Sequence, residues 1–175
     1  MTLRDLAAEI AARLAAAGIE GARSEAWLLL AAVTGRERAA LMAGGQDILS
    51  VAQEARLDAL VRRRVAREPV AYLLGEREFW SLRFEVNPAV LIPRRETETV
   101  VEAVLARLPD RRRALRLLDL GVGSGCLLLA LLSELPRATG LGVDDSAAAL
   151  AIAGRNAERL GLAARMARSR TSGMR

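Results

Sequence analysis

The chain opens on apolar positions spaced as one face of a helix. Leu3, Leu6, Ile10 and Leu14 recur every three or four residues until Gly18, behind Thr2 and Asp5, which have the spacing of a capping box. Residues 22–34 repeat the pattern around Trp27, Leu28, Leu30 and Ala31 and stop at Gly35, and a shorter segment runs to Gly44 and Gly45. Ser50 and Gln53 form a further capping box, opening a helix that carries Leu57, Leu60, Val61 and Val65 toward Pro69. Residues 1–70 are therefore expected to form a helical bundle with Trp27 in its core.

Beyond residue 70 the pattern changes. Tyr72, Phe79, Trp80 and Phe84 are all the aromatics besides Trp27, and the alternation around Ser81 and Leu82 predicts a short hairpin with Phe84 and Val86 on one face, within a connecting segment of residues 71–94. Pro88 and Pro93 precede a helix over 97–108 with Val100, Val101, Val104, Leu105 and Leu108 inward and Glu96 and Glu98 at its positive end. A strand over 115–118, a helix over 124–135, a strand over 139–143 and a helix running from Asp145 or Ser146 to Leu160 make a βαβα unit that Gly161 closes. A third strand is due after Leu162. Residues 163–175 show neither alternation nor a continuous apolar run, and are expected to be an irregular, Arg-rich tail.

The chemistry concentrates where the first of these strands turns into its helix. Gly121, Gly123 and Gly125 form G-x-G-x-G, whereas a dinucleotide fingerprint would need a glycine at Cys126, so the spacing points to S-adenosylmethionine rather than NAD. Asp144 lies nineteen residues past Gly125 at the end of the second strand, where a carboxylate can accept hydrogen bonds from both ribose hydroxyls. The candidate cofactor-binding residues are thus Gly121, Val122, Gly123, Ser124, Gly125 and Asp144. The plainer reading of the glycines alone is an ordinary strand-to-helix turn.

Composition narrows the chemistry further. With no His and a single Cys, Cys126, there is no Ser-His-Asp triad, His base, His-ligated metal, disulfide or Cys-rich zinc site, and neither a catalytic residue nor a metal site is assigned. The net charge of +5 comes from 26 basic residues, all of them Arg; without the four in residues 165–175 it falls to +1, so charge does not point to nucleic acid. Aromatics at 3% offer no base-stacking platform. No apolar run approaches the roughly 20 residues that span a bilayer, and a soluble cytoplasmic protein is expected.

Several motifs occur in order: Gly-Glu-Arg-Glu-Phe-Trp at 75–80, Val-Leu-Ile-Pro-Arg at 90–94, Glu-Thr-Glu at 96–98, Leu-Asp-Leu-Gly-Val-Gly-Ser-Gly at 118–125 and Asn-Ala-Glu-Arg-Leu-Gly-Leu at 156–162. Together they resemble the release-factor glutamine methyltransferases, the HemK/PrmC family. The resemblance implies an α/β chain: an N-terminal helical bundle that recognises a peptide chain release factor, then, over residues 95–162, the first part of a Rossmann-like class I S-adenosylmethionine-dependent methyltransferase domain. It implies methyl transfer to the glutamine of a Gly-Gly-Gln motif. Arg95 replaces the family's proline and Val122 its threonine. The Asn-Pro-Pro-Tyr motif that holds the glutamine amide, and the Gly-Asp-Trp-like segment flanking the adenine, are absent. The expectation is a chain truncated or frame-shifted after about Leu162 and inactive alone. The alternative is a non-catalytic fragment that binds a release factor or the cofactor; methylation of nucleic-acid amines is a weaker third reading.

Overall fold

The computed structural model describes residues 2–44 and 48–171, and the chain forms two compact units that divide between Leu74 and Gly75. The first unit is helical: α1 (Leu3–Ala16), α2 (Ala22–Thr34), α3 (Arg38–Gly44), α4 (Val51–Val65) and α5 (Val70–Leu74). Both capping boxes form, with the Thr2 and Ser50 hydroxyls accepting from the amides of Asp5 and Gln53 while those side chains reach back. Each such cap contributes about 1 kcal/mol. Leu3, Ile10 and Leu14 of α1 meet Trp27, Leu29 and Leu30 of α2 and Leu57, Leu60 and Val61 of α4 in one core, and the half-buried Arg64 grips Glu25 at 2.6 and 3.2 Å.

Three details differ from the periodic pattern. Leu29 rather than Leu28 is fully buried, because Ala26, Trp27, Leu30 and Val33 set the core-facing stripe about a quarter-turn away. Val65 is 39% exposed, since α4 ends there and the chain turns away through Arg67 at φ 72°. Helix α5 runs from the last residue of the expected bundle, Val70, into the segment read as a connection; five residues started by Pro69 are too short for a helical period to show. The expected stop at Gly45 lies outside the described residues.

The second unit begins with a hairpin, β1 (Glu76–Phe79) and β2 (Leu82–Glu85), paired antiparallel. Trp80 and Ser81 form its two-residue turn at φ 52° and 56°, where Asn-Gly is the usual choice. Phe84 and Val86 are both buried, as expected, and Phe79 packs edge-on to Phe84 at 6.2 Å. A 3₁₀ turn then leads into α6 (Glu98–Ala106).

The remaining elements are β3 (Arg116–Leu120), α7 (Cys126–Glu134), β4 (Thr139–Asp144), α8 (Ala147–Arg159) and β5 (Met166–Arg170). The three strands form a parallel sheet in the order β3-β4-β5. Both crossovers step in the same direction, so right-handed connections put α7 and α8 on one face. There Leu128, Leu129, Leu132, Ala153 and Ala157 build the core. Gly140 and Gly142 of β4 make room for it: a Cβ at Gly140 would stand 2.7 Å from Leu128, and one at Gly142 2.8 Å from Val122. The opposite face is open, with Leu118 62%, Leu120 73% and Leu141 37% exposed.

Strand β5 corrects the expectation of an irregular tail. Its residues, Met-Ala-Arg-Ser-Arg, give no apolar pattern because Met166 alone is buried. Its arginines act instead on main-chain carbonyls: Arg165, just before the strand, donates to Leu132, Leu135 and Ala138, and Arg168 to Leu150. Arg165 thereby satisfies acceptors at the end of α7 that a helix C-terminus leaves unpaired. Residues 172–175 of that tail lie outside the described residues.

Candidate cofactor site

A short strand, three glycines and a helix start set the site, which sits at the carboxyl ends of β3 and β4, where open parallel sheets bind ligands. Gly121, Gly123 and Gly125 all have positive φ, at 79°, 53° and 81°. They do different work. A Cβ at Gly121 would meet nothing within 4 Å, and one at Gly123 only the Gly121 carbonyl at 3.9 Å, so both face open space. Gly125 is pressed against Leu129 and Ala153, at 3.0 and 3.4 Å, and lets α7 start close to α8. The side chains of Val122 and Ser124 are buried, Val122 in the core beneath the loop. Of the six residues singled out in the sequence, only Gly121, Gly123 and Asp144 thus turn an open surface or a polar side chain toward the crevice.

The loop's amides point inward. Gly121 and Val122 both donate to the Val143 carbonyl, at 2.8 and 3.0 Å, and Gly125 to the Val122 carbonyl at 2.8 Å. Gly123 donates to Asp144 Oδ2 at 2.9 Å, while Asp144 Oδ1 accepts from the Ser146 amide at 3.0 Å. Burial pushes the Asp144 carboxyl up, but the Ser146 and Gly123 amides and Asp145 outweigh it and hold the group below the ordinary carboxylate range. Each carboxylate oxygen keeps a lone-pair site beyond the bond it already makes.

A second acid stands beside it. Asp119 lies one residue before the end of β3, on the half-buried face of the strand. Its carboxyl is raised above the usual range, first by burial and then by the negative charge of Asp144. The two acids are thus close enough to repel one another at the loop's mouth. Burial also raises the Cys126 thiol, which is therefore not a thiolate nucleophile.

The loop is held from behind by Asn156, whose side chain is completely buried. Its Oδ1 accepts from the Glu85 amide at 2.7 Å, and its Nδ2 donates to the carbonyls of Glu85 at 3.0 Å and Ser124 at 2.9 Å. One amide side chain therefore joins β2, α8 and the glycine loop. Next to it, Arg155 clamps the Glu85 carboxylate at 2.7 to 3.1 Å. Among the described residues there is no cluster of metal-ligating side chains and no helix long and apolar enough to cross a membrane.

Comparison with known proteins gives this geometry a family. The PrmC N-terminal domain matches residues 5–75 and the methyltransferase small domain matches residues 90–173. Release factor glutamine methyltransferase of Moorella thermoacetica is 47% identical over 166 residues, covering 95% of this chain and 58% of that protein. The Escherichia coli protein of the same name is 48% identical over 143 residues, 82% of this chain and 51% of its own length. The chain belongs to the release factor glutamine methyltransferase family. It spans about half the length of the curated relatives it matches. Among solved structures, an S-adenosylmethionine-dependent methyltransferase of Geobacter sulfurreducens in complex with S-adenosylhomocysteine is 33% identical, covering 45% of this chain and 29% of its own, at a TM-score of 0.38.

Two residues of this family member's site were not picked out from the sequence. Asp119 stood in the quoted motif, and its register against Gly142, two residues before Asp144, is what brings the two acids to the same end of the sheet. Asn156 also stood in a quoted motif, and a polar residue between the apolar positions Ala153 and Ala157 of α8 was the available signal.

Proposed function

We propose that this chain binds S-adenosylmethionine at the carboxyl ends of β3 and β4 and supplies the donor side of methyl transfer to the glutamine of a release factor's Gly-Gly-Gln motif, a reaction of translation termination in the cytoplasm. The observation that carries this reading is the inward turn of the loop amides beside two carboxylates. A pyrophosphate needs free main-chain donors and a positive field, whereas here the Gly121, Val122, Gly123 and Gly125 amides are engaged and two carboxylates, Asp119 and Asp144, stand at the loop. A sulfonium ligand with an ammonium group and a ribose diol suits that arrangement.

The residues present fit such a ligand. Asp144, with a free lone-pair site on each oxygen, accepts the two ribose hydroxyls; Gly121 and Gly123, with nothing where a Cβ would be, let the amino-acid end lie against the backbone. Asp119 attracts the cationic part and is kept ionised by it. When bound, the cofactor supplies an electrophilic methyl group. An amide nitrogen is a poor nucleophile whose reaction depends on positioning, worth about 7 to 11 kcal/mol of barrier. The Asn-Pro-Pro-Tyr motif is absent from the sequence, and no residue of this chain is assigned that role. Relatives named release factor glutamine methyltransferase at 44–48% identity support the substrate class.

Calorimetry with S-adenosylhomocysteine tests the reading. The parent chain binds it and not NAD; Asp144→Ala loses about 1 to 3 kcal/mol, the range for hydrogen bonds to a charged group. Equal affinity in the variant, or preference for NAD, refutes the assignment.

A further inference from the structure

The first unit contains a cavity of about 520 Å³ between the start of α2 and α3, with Ala22, Trp27 and Met42 on its apolar side and Arg23, Ser24 and Arg38 on its polar side. That volume is within the range of small-ligand sites. Trp27 is only 8% exposed, yet its indole N–H makes no hydrogen bond among the described residues and is not sealed from the surface. A buried indole ordinarily finds an acceptor. Trp80 gives the contrast, its Nε1 donating to Glu134 at 2.8 Å.

The charges at this cavity are of one sign. Arg38 Nη1 donates to the Ser24 hydroxyl at 3.0 Å, which holds its guanidinium at the first turn of α2, and Arg23 has no hydrogen bond or ion pair among the described residues. No described lining residue is an acid, and the carboxylate of that turn, Glu25, is committed to Arg64 at 2.6 Å. Gly21 caps α2 without a side-chain acceptor, so the first amides of the helix add to the positive field. An apolar wall, one unpaired neutral donor and two cations complement an anion carried on an apolar body; a bare phosphate would leave the wall unused. We infer that this cavity binds an apolar carboxylate, whose oxygen accepts from Trp27 Nε1, whose charge Arg23 and Arg38 offset, and whose body lies on Ala22, Trp27 and Met42. The class covers a free aryl or alkyl acid and a peptide with an acidic residue beside an aromatic one. The inference is independent of the S-adenosylmethionine reading above.

The test follows the indole N–H resonances of Trp27 and Trp80 in the isotope-labelled full chain, assigned with Trp80→Phe, against three probes: naphthylacetate, the neutral naphthylacetamide and the capped dipeptide acetyl-Phe-Glu-amide. Naphthylacetate shifts the Trp27 resonance and leaves that of Trp80, whose N–H is already bonded, in place. The acetamide binds about tenfold more weakly, as loss of charge-assisted hydrogen bonds requires. Arg23→Gln with Arg38→Gln, both at exposed positions, weakens the acid about tenfold and the acetamide little. Trp27→Phe keeps an apolar ring without the donor and also weakens the acid; the arginine pair keeps the test readable should that core variant fail to fold. Tighter binding of the dipeptide than of the free acid places the carboxylate on a protein segment, and the reverse order on a small molecule; both support the class. Equal affinity for acid and acetamide, equal shifts of the two indole resonances, no shift with either carboxylate, or an acid affinity untouched by the double arginine variant overturns the inference.

Discussion

Replacing Asn156 with alanine removes three hydrogen bonds at once and fills nothing in return. The Glu85 amide, the Glu85 carbonyl and the Ser124 carbonyl lose partners at 2.7, 3.0 and 2.9 Å, in a place where the Asn side chain has no solvent exposure. Each such bond is worth about 0.5 to 1.5 kcal/mol net, and a buried group left unpaired costs about 1 to 3 kcal/mol, so Asn156→Ala is expected to destabilise the second unit by about 3 to 5 kcal/mol. That is a large part of the roughly 5 to 15 kcal/mol typical of a domain. Asn156→Asp is no remedy: it keeps the acceptor for the Glu85 amide but loses both Nδ2 donors and sets a carboxylate against two carbonyls. Urea unfolding followed by Trp80 fluorescence, in a Trp27→Phe background, reads the effect as a lowered midpoint at unchanged slope. In the same variant S-adenosylhomocysteine binding weakens, because the Ser124 carbonyl no longer fixes the loop. A loss below about 1 kcal/mol would refute the account of Asn156 as the joint between β2, α8 and the loop.

Gly140→Ala drives a Cβ to 2.7 Å from the buried Leu128 and costs about 1 to 3 kcal/mol by overpacking, whereas Gly154→Ala meets only the movable Arg168 guanidinium and stays within about 1 kcal/mol of neutral; thermal melting of the pair distinguishes immobile from yielding neighbours. The raised carboxyl of Asp119 implies that its ionised form is disfavoured in the free protein, so its contribution to stability is present at low pH and lost as pH rises through the folded-state value. Affinity for the ammonium-bearing S-adenosylhomocysteine correspondingly climbs with pH across the same window and then levels; a profile in Asp119→Asn as steep as the parent's would assign the titration elsewhere. Leu118→Lys with Leu120→Lys lowers self-association in sedimentation, because the open sheet face and the outer edge of β3, which pairs with no strand among the described residues, are a template for pairing; an equally associated variant refutes that role.

The sequence carried the helices of the first unit well because their burial is periodic and their starts are chemical: Thr2 with Asp5 and Ser50 with Gln53 form the boxes their spacing announces. It also carried β3 and β4, whose apolar runs end on a glycine loop and an acid. The division of labour among the three glycines was hidden, because Gly125 and Gly121 look alike in a motif and differ only in what lies beyond the missing Cβ. Val122 and Ser124 belong to the loop, yet their side chains serve the core beneath it, and no spacing rule separates a loop's ligand side from its protein side.

The tail shows why an absent pattern is weak grounds for an absent strand. Among the described residues β5 has β4 on one side and no strand on the other, and four of its five residues are exposed, so the usual apolar signature of a buried parallel strand has no cause to arise. What fixes the strand is its one buried residue and its arginines. Met166 lies beside Val122 and Gly142, beneath the glycine loop; Arg168 lies across Gly154, where any Cβ would collide with it at 1.3 Å; Arg170 ties the strand end to the turn after Asp144. Each of these attachments reaches either the floor of the glycine loop or the helix and turn that follow Asp144. The segment with no apolar pattern is therefore the outer wall of the glycine-loop region, and its arginines Arg165, Arg168 and Arg170 donate to main-chain carbonyls within the unit.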